Sequence, residues 1–459
     1  MIIKIPWIAP STQNQYFASI LVSSLAVIHG CAIGWTSPII PYLKSEDTHL
    51  NAGPITPQQA SWIGACLSLG AVFSIVITGI AADYFGKKVC LIALSIPAVL
   101  FWTLTYVSTN VFHLYAARTV AGFCGGGQLR IVPLFIGELA ESNVRGKLGA
   151  FFPLGLNLGI FLIFVIGTYI DYFIIPFVIF PFIVAYFVLM LFLPETPQYY
   201  LKKQKEEEAL KSLKYYRNCN DKDSQNLENV QNELSALKKN IQSQGKFEVN
   251  LKDFVEKKSR RGLFISIFLV FIGAFSGNFT ILTYTADIVK SAGSSFKPNE
   301  AAMIIAGVQF IGIYITSLYV DKFGRKVLMS ISCVGSGLFL MLLATYSYVD
   351  TNYEYEGNLG WIPIFSLSMT ILMNAFGICS LPFMIVTELV PQKIREATVM
   401  ICMMLITLFA FINLKVYPPL VESISFYSCM YIYGGFCLLA TFVIVFVMPE
   451  TKGKNLFQN

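Results

Sequence analysis

"DYFGKK" fills residues 83–88 and "DKFGRK" fills residues 321–326. Each sets an acid, then a glycine followed by two basic residues, between long apolar stretches, and their starts lie 238 residues apart. Two further pairs keep nearly the same offset. "GELAESNVR" puts Glu138 seven residues before Arg145, and "TELVPQKIR" puts Glu388 seven residues before Arg395, 250 residues on. "PETPQ" (194–198) returns as "PETKG" (449–453), 255 residues on. Three ordered pairs at a near-constant offset indicate two halves built alike. Gly86 and Gly324 are expected to allow tight turns that other residues resist. Asp83, Lys87 and Lys88, with Asp321, Arg325 and Lys326, are expected to pair with Glu138, Arg145, Glu388 and Arg395, tying one half to the other on one face. Such ties have to break when that face opens. Turn chemistry and a basic loop bias explain either hexapeptide alone, but not the coincidence of all three pairs.

The surrounding composition is that of a membrane protein. Of 459 residues, 55% are hydrophobic and 13% charged, and the mean hydropathy is +0.62; soluble domains carry roughly 25% charged residues. The net charge of +6 is not gathered into a basic stripe, so no nucleic-acid partner is expected and the partner surface is the lipid bilayer. Ten cysteines and three histidines are scattered, without a CxxC pair; the spacing offers neither a metal site nor a disulfide framework. A GxxxxGK[ST] loop is absent from the sequence, and no cofactor is expected.

A spanning helix needs about 20 mostly apolar residues. Twelve stretches qualify: 16–40, 58–81, 88–108, 111–138, 146–169 and 172–193, then 262–289, 299–320, 326–348, 360–389, 395–416 and 424–448. The first is too long for a signal-peptide core and is expected to stay as a span. The fold class is thus an all-α membrane protein of two six-helix bundles, 1–193 and 262–448. A polar linker, 194–261, joins them, and a short tail, 449–459, follows. The linker's "KKQKEEEALKSLKYYRN" and "LENVQNELSALKKN" have helical apolar spacing. Lys and Arg gather on the linker side (Lys87, Lys88, Arg145, Lys147, Lys322, Arg325, Lys326, Lys393, Arg395, Lys452, Lys454), and chiefly acids lie opposite. The positive-inside rule then puts both termini in the cytosol. Lys44, Lys290, Lys297 and Lys415 are exceptions to that pattern.

These motifs carry a resemblance. "GIAADYFGKK" (79–88), "ARTVAGFCGGG" (117–127), "GELAESNVRG" (137–146), "PETPQYYL" (194–201), "DKFGRK", "TELVPQKIR" and "PETKGKNL" (449–456) resemble the sugar porter family of the major facilitator superfamily. Within it the chain is most similar to the insect facilitated trehalose transporters, whose first span "HGCAIGWTSP" (29–38) also resembles. The resemblance implies two bundles around a central solute site that is exposed alternately to either side, without ATP. It implies facilitative transport of a sugar, trehalose or a hexose, across the plasma membrane, and no enzymatic activity.

The resemblance also shows where the chain departs. Pro153 stands where the family usually has Gln. "GAFSGNF" (273–279) replaces "QQLSGIN", so Gly273 and Ala274 replace two amides and Phe279 an Asn. Phe383 stands at a Trp position and Ile406 at an Asn position. Asn157, Asn278, Thr280, Thr283, Tyr284, Gln309, Asn374 and Phe383 remain as candidate solute-binding residues, with Gln128 beside them. Each of the polar ones serves equally well as an interhelical hydrogen bond. A buried cation inside a span is costly and is usually paired or functional. Arg118 is expected to pair with acids or carbonyls. Arg130 either attracts an anionic solute or meets a structural partner, and the partner is the expectation. Pro133, Pro363 and Pro382 are expected to bend their spans, and Gly125-Gly126-Gly127 to allow close packing. The altered cavity residues leave two other readings open: a carrier of a smaller or less hydroxylated solute, and a non-transporting sensor on the same scaffold. "HGCAIGWTSP" holds no acid, which favours transport without proton coupling.

Overall fold

The computed structural model describes residues 10–219, 224–244, 251–319, 324–353 and 359–451. Asp321 and Lys322 of the second hexapeptide, and Lys452 and Lys454, lie outside the described residues. Among the described residues ten helices are long and apolar enough to cross a bilayer: Gln13–Leu43, Pro57–Phe85, Lys87–Tyr106, Val111–Leu139, Arg145–Tyr169, Ser259–Thr283, Pro298–Tyr319, Arg325–Asn352, Gln392–Ile424 and Phe426–Val447. Two shorter apolar helices, Ile175–Leu191 and Ile362–Phe376, complete twelve. In chain order these are spans 1–12. The face carrying the hexapeptides is the basic face; the other is the far face. Large apolar side chains such as Phe182, Phe187 and Phe446 stand exposed on the outside of the spans, where hydrocarbon rather than water would meet them.

Local chemistry sets the helix ends. Span 2 starts at a capping box: Gln59 N–H donates to the Thr56 hydroxyl at 3.2 Å and Thr56 N–H donates to Oε1 of Gln59 at 2.9 Å, with Pro57 in the first turn. Asn110 caps span 4 by accepting from Phe112 N–H at 3.1 Å. The glycine run of span 4 is a packing device, as expected. A Cβ at Gly125 would lie 2.1 Å from the His29 ring of span 1, one at Gly126 2.2 Å from the Ala71 carbonyl of span 2, and one at Gly127 2.7 Å from Leu94 of span 3. Three neighbouring helices thus close onto three consecutive residues.

Two spans expected to be continuous are broken. The stretch 262–289 forms Lys257–Phe275, Asn278–Thr283 and Thr285–Ser291, because Gly277 takes φ +82°, a left-handed conformation that ends the first helix. The stretch 360–389 forms Ile362–Phe376 and Pro382–Leu389. Pro382 has no N–H to continue a helix, and Ser332 of span 9 satisfies the gap by accepting from Ile378 N–H at 3.1 Å and donating to the Met373 carbonyl at 2.6 Å. Pro363 falls in a first turn, and Pro133 sits inside an unbroken helix.

The repeated motifs meet in space. In the first bundle both oxygens of Glu195 are occupied: Lys88 N–H donates to Oε2 at 2.8 Å and Thr196 N–H to Oε1 at 2.9 Å. Lys87 pairs with Glu138 at 2.8 Å. In the second bundle Glu450 accepts from Arg325 N–H at 2.9 Å and Lys326 N–H at 3.2 Å, and Arg325 pairs with Glu388 at 3.3 Å. Each "PET" glutamate therefore caps the helix that its hexapeptide begins. The two turns differ in detail. Gly86 has φ +95° and ψ 160°, whereas Gly324 has φ −69°. At Gly324 the requirement is closeness alone, since a Cβ would lie 2.5 Å from the Glu450 carboxylate.

The linker touches both bundles. Arg217 donates to the Leu139 carbonyl at 2.8 Å and pairs with Glu233 at 2.5 Å. Lys393 pairs with Asp253 at 2.8 Å. Gly86→Ala is expected to destabilise the protein by about 1–3 kcal/mol from the backbone alone, and Gly324→Ala by less. Thermal unfolding of the detergent-solubilised variants measures this, and equal losses would remove φ as the cause.

Candidate functional site

On the far face, contacts among the described residues draw the bundles together. Lys44 at the end of span 1 pairs with Asp287 beyond span 7 at 2.7 Å. The Ser37 hydroxyl accepts from Ala286 N–H at 3.3 Å. Lys415 of span 11 donates to the Ser61 hydroxyl of span 2 at 2.8 Å, and its ammonium lies 4.3 Å from the centre of the Trp62 ring, a cation–π contact. A Cβ on Gly64 of span 2 would lie 2.3 Å from the Tyr284 hydroxyl. Two of the four lysine exceptions in the sequence therefore form this clasp.

On the basic face, among the described residues, the ion pairs of the gate candidates close inside each bundle: Lys87 with Glu138, Arg325 with Glu388. The Thr451 hydroxyl also donates to Glu388. Arg145 donates to the Ala140 carbonyl of its own bundle at 3.3 Å, and Asp83 is exposed. Two buried atoms on opposite bundles have no hydrogen-bond partner, Oε2 of Glu138 and Nε of Arg395. Glu195 lies outside the spans, and its burial pushes the carboxyl above the usual carboxylate range, against the pull of the Thr196 and Lys88 amides.

The solute-binding candidates divide into three groups. Asn278, Thr280 and Asn374 are engaged within the second bundle. Asn374 donates to Oδ1 of Asn278 at 3.5 Å and accepts from the Ser336 hydroxyl at 2.7 Å. Thr280 lies 3.3 Å from Oδ1 of Asn413 and 3.2 Å from the Tyr433 hydroxyl. Thr283 and Tyr284 belong to the far-face closure: Tyr284 donates to the Leu414 carbonyl at 3.1 Å and stacks on Tyr417 with ring centres 5.4 Å apart. Asn157, Gln309 and Gln128 form the third group. Asn157 spends its N–H on the Pro153 carbonyl at 2.8 Å, but its Oδ1 is buried without a partner. So are Oε1 of Gln309 and both amide atoms of Gln128. A buried polar atom left unpaired costs about 1–3 kcal/mol, so these amides are where a hydroxylated solute or water gains most.

The departures from the family pattern also fall into place. A Cβ on Gly273 would lie 3.6 Å from Ile406, so two positions expected to bear amides face each other as apolar surface. Phe383 packs beside Ile406 on Val270, Val386 and Cys402. Phe279 lies on the main apolar core. The Ala274 carbonyl accepts from Asn413 at 2.6 Å, and Tyr433 donates to Asn413 at 2.6 Å. Sequence reading missed Asn413 and Tyr433; a lone amide in the apolar run of span 11 was the available signal.

Arg118 is 2% exposed and donates to the carbonyls of Ile63 (3.0 Å) and Ala32, as expected of a cation paired with backbone. Arg130 is half-buried; its Nη1 donates to the Ile75 carbonyl at 3.2 Å and lies 2.8 Å from Sδ of Met400, in the opposite bundle.

Comparison with known proteins agrees with this architecture. The family model described as "Sugar (and other) transporter" matches residues 22–459. The facilitated trehalose transporter of Polypedilum vanderplanki is 28% identical over 445 residues, covering 96% of this chain and 86% of the relative. That of Drosophila mojavensis is also 28% identical over 96% of this chain, which spans about half of that relative's length (50%). Among solved structures, a partially occluded inward-open form of the xylose transporter XylE from E. coli superposes with a TM-score of 0.76 at 19% identity, covering 96% of this chain and 99% of that one. The crystal structure of a D-xylose-proton symporter gives a TM-score of 0.70 at 20% identity, covering 96% of this chain and all of that one. With the family match running over nearly the whole chain, this protein belongs to the sugar transporter family and has its twelve-helix major facilitator fold.

Proposed function

We propose that this protein is a facilitative carrier of a sugar, trehalose or a hexose, working by alternating access in the plasma membrane with both termini in the cytosol. The observation that carries the reading is the asymmetry of the two faces. Cross-bundle contacts gather on the far face, at Lys44–Asp287 and Lys415–Ser61, while among the described residues the basic-face ion pairs of Glu138 and Glu388 stay inside their own bundles. That is the arrangement of a carrier closed to the outside. Residues 1–193 and 262–448 would rock as units, with the linker joining them. In the opposite state Glu138 and Arg395, whose buried partnerless atoms lie on opposite bundles, would form the cytosolic latch with Arg145 and Glu388. The solute would lodge against Asn157, Gln309 and Gln128. A solute with fewer hydroxyls is the second reading, favoured by the apolar meeting of Gly273 and Ile406.

Purified full-length protein in liposomes should equilibrate radiolabelled trehalose or glucose without a proton gradient; solute binding without flux would favour a sensor instead. Lys44→Ala or Asp287→Ala should raise labelling of a Thr283→Cys reporter by an impermeant maleimide from outside. The pair is part-exposed and worth up to about 1 kcal/mol, so the rise should be about two- to fivefold. Glu138→Gln or Arg395→Ala should lower the same labelling by favouring the inward-facing state. Labelling that stays unchanged in both variants removes the latch.

A further inference from the structure

Arg130 lies nine residues before the end of span 4, well inside the membrane. The expected structural partner is only half there. Its two protein contacts are an uncharged carbonyl on span 2 and the thioether of Met400 on span 11. Among the described residues no carboxylate lies within the 4.0 Å of an ion pair. A thioether is a weak acceptor and brings no charge. Arg118, on the same helix, shows the alternative: it is fully buried and held by two carbonyls of its own bundle.

The geometry around Arg130 is that of a cation held ready. A Cβ on Gly79 would lie 2.1 Å from Nη1 and 2.2 Å from the guanidinium carbon, so the plane rests against bare backbone. Nη1 is the nitrogen in use, and Nε and Nη2 donate to no protein group among the described residues. That free edge is the fork that takes a carboxylate through two parallel hydrogen bonds. Residues 130, 133, 134 and 137 share one face of the helix, and all are at least part-exposed. Around Gly137 nothing stands within 4 Å of a Cβ position. Because Arg130 on this stripe reaches Met400, the stripe looks toward the second bundle. A solute passing between the bundles toward the basic face meets it.

We infer that Arg130 reads a carboxylate, and that this carrier takes a monoanionic sugar acid in preference to the corresponding neutral sugar. This rests on the carrier reading above. One cation balances one negative charge. Near the basic end of span 4 Lys87 is already paired with Glu138 and Arg217 with Glu233, and Arg145 lies beyond the end of the span, so a dianionic phosphate beside Arg130 would leave a net charge in a low-dielectric path. Within the second bundle the cluster of Gly273, Ile406 and Phe383 offers no amide to a neutral polyol.

The test uses the full chain in liposomes with radiolabelled glucuronate, glucose and glucose 6-phosphate, for the native protein, Arg130→Gln and Arg130→Lys. The native protein should move glucuronate. Its glucuronate-to-glucose flux ratio should fall about tenfold or more in Arg130→Gln, as expected for losing a charged hydrogen bond, and less in Arg130→Lys, which keeps the charge without the fork. An unchanged ratio in Arg130→Gln overturns the inference while leaving the carrier intact, and so does preferred flux of glucose 6-phosphate. Should no solute cross at all, the carrier reading fails. Glucuronate-dependent thermal stabilisation then decides: its loss in Arg130→Gln but not in Arg130→Lys supports the carboxylate site, and its absence in the native protein overturns it.

Discussion

Two glutamates, Glu195 buried and Glu450 half-buried, hold the basic face in shape. Glu195 and Glu450 each accept backbone N–H groups where spans 3 and 9 begin, across a glycine that leaves no room for a side chain. A carboxylate at a helix start satisfies amides that have no partner within the helix and meets the positive end of its dipole. Each also brings the chain that follows its bundle's last span back to the bundle's second turn. The neighbouring ion pairs, Lys87–Glu138 and Arg325–Glu388, then fasten the end of span 4 or span 10 to the same point. Four helices of each bundle are thereby tied at one end, so each bundle can move as a block.

A carrier built of two blocks needs contacts that can be exchanged. The far-face clasp uses part-exposed, long side chains: Lys44 with Asp287, and Lys415 with Ser61 and Trp62. Such contacts are individually weak, which suits a closure that has to open. Several glycine contacts inside the first bundle are of the other kind: at Gly30, Gly70, Gly122, Gly126 and Gly159 a Cβ would lie 1.8–2.2 Å from a neighbouring backbone carbonyl. Stiffness within the bundle and weak ties between bundles are what the proposed rocking of two bundles requires.

The polar groups follow the same division. Those that fold the second bundle are satisfied by one another, as in the network of Asn413, Tyr433, Thr280 and the Ala274 carbonyl. Those proposed to meet the solute are not. Gln128, Asn157 and Gln309 keep buried acceptors without partners, and Arg130 keeps a free edge. In a membrane protein, where desolvation is not relieved by bulk water, incomplete satisfaction at such places is a sign of solute or water.

The amino-acid sequence by itself determined the twelve apolar stretches, the twofold repeat and the basic face. Hydropathy, motif spacing and loop charge are one-dimensional signals, and they survive without knowledge of neighbours. It also marked Asn157, Gln309 and Arg130 as polar groups that the bilayer would not tolerate idly. Only the tertiary structure decided what each was for. The ion pairs of Glu138 and Glu388 proved to lie within bundles, and Tyr284 joined the closure rather than an open cavity wall. Spans 7 and 10 broke where Gly277 and Pro382 interrupt them, and Lys44 and Lys415, apparent exceptions, became the clasp. The reason is that pairing depends on which faces two helices present to each other, and that is set by packing between residues hundreds of positions apart.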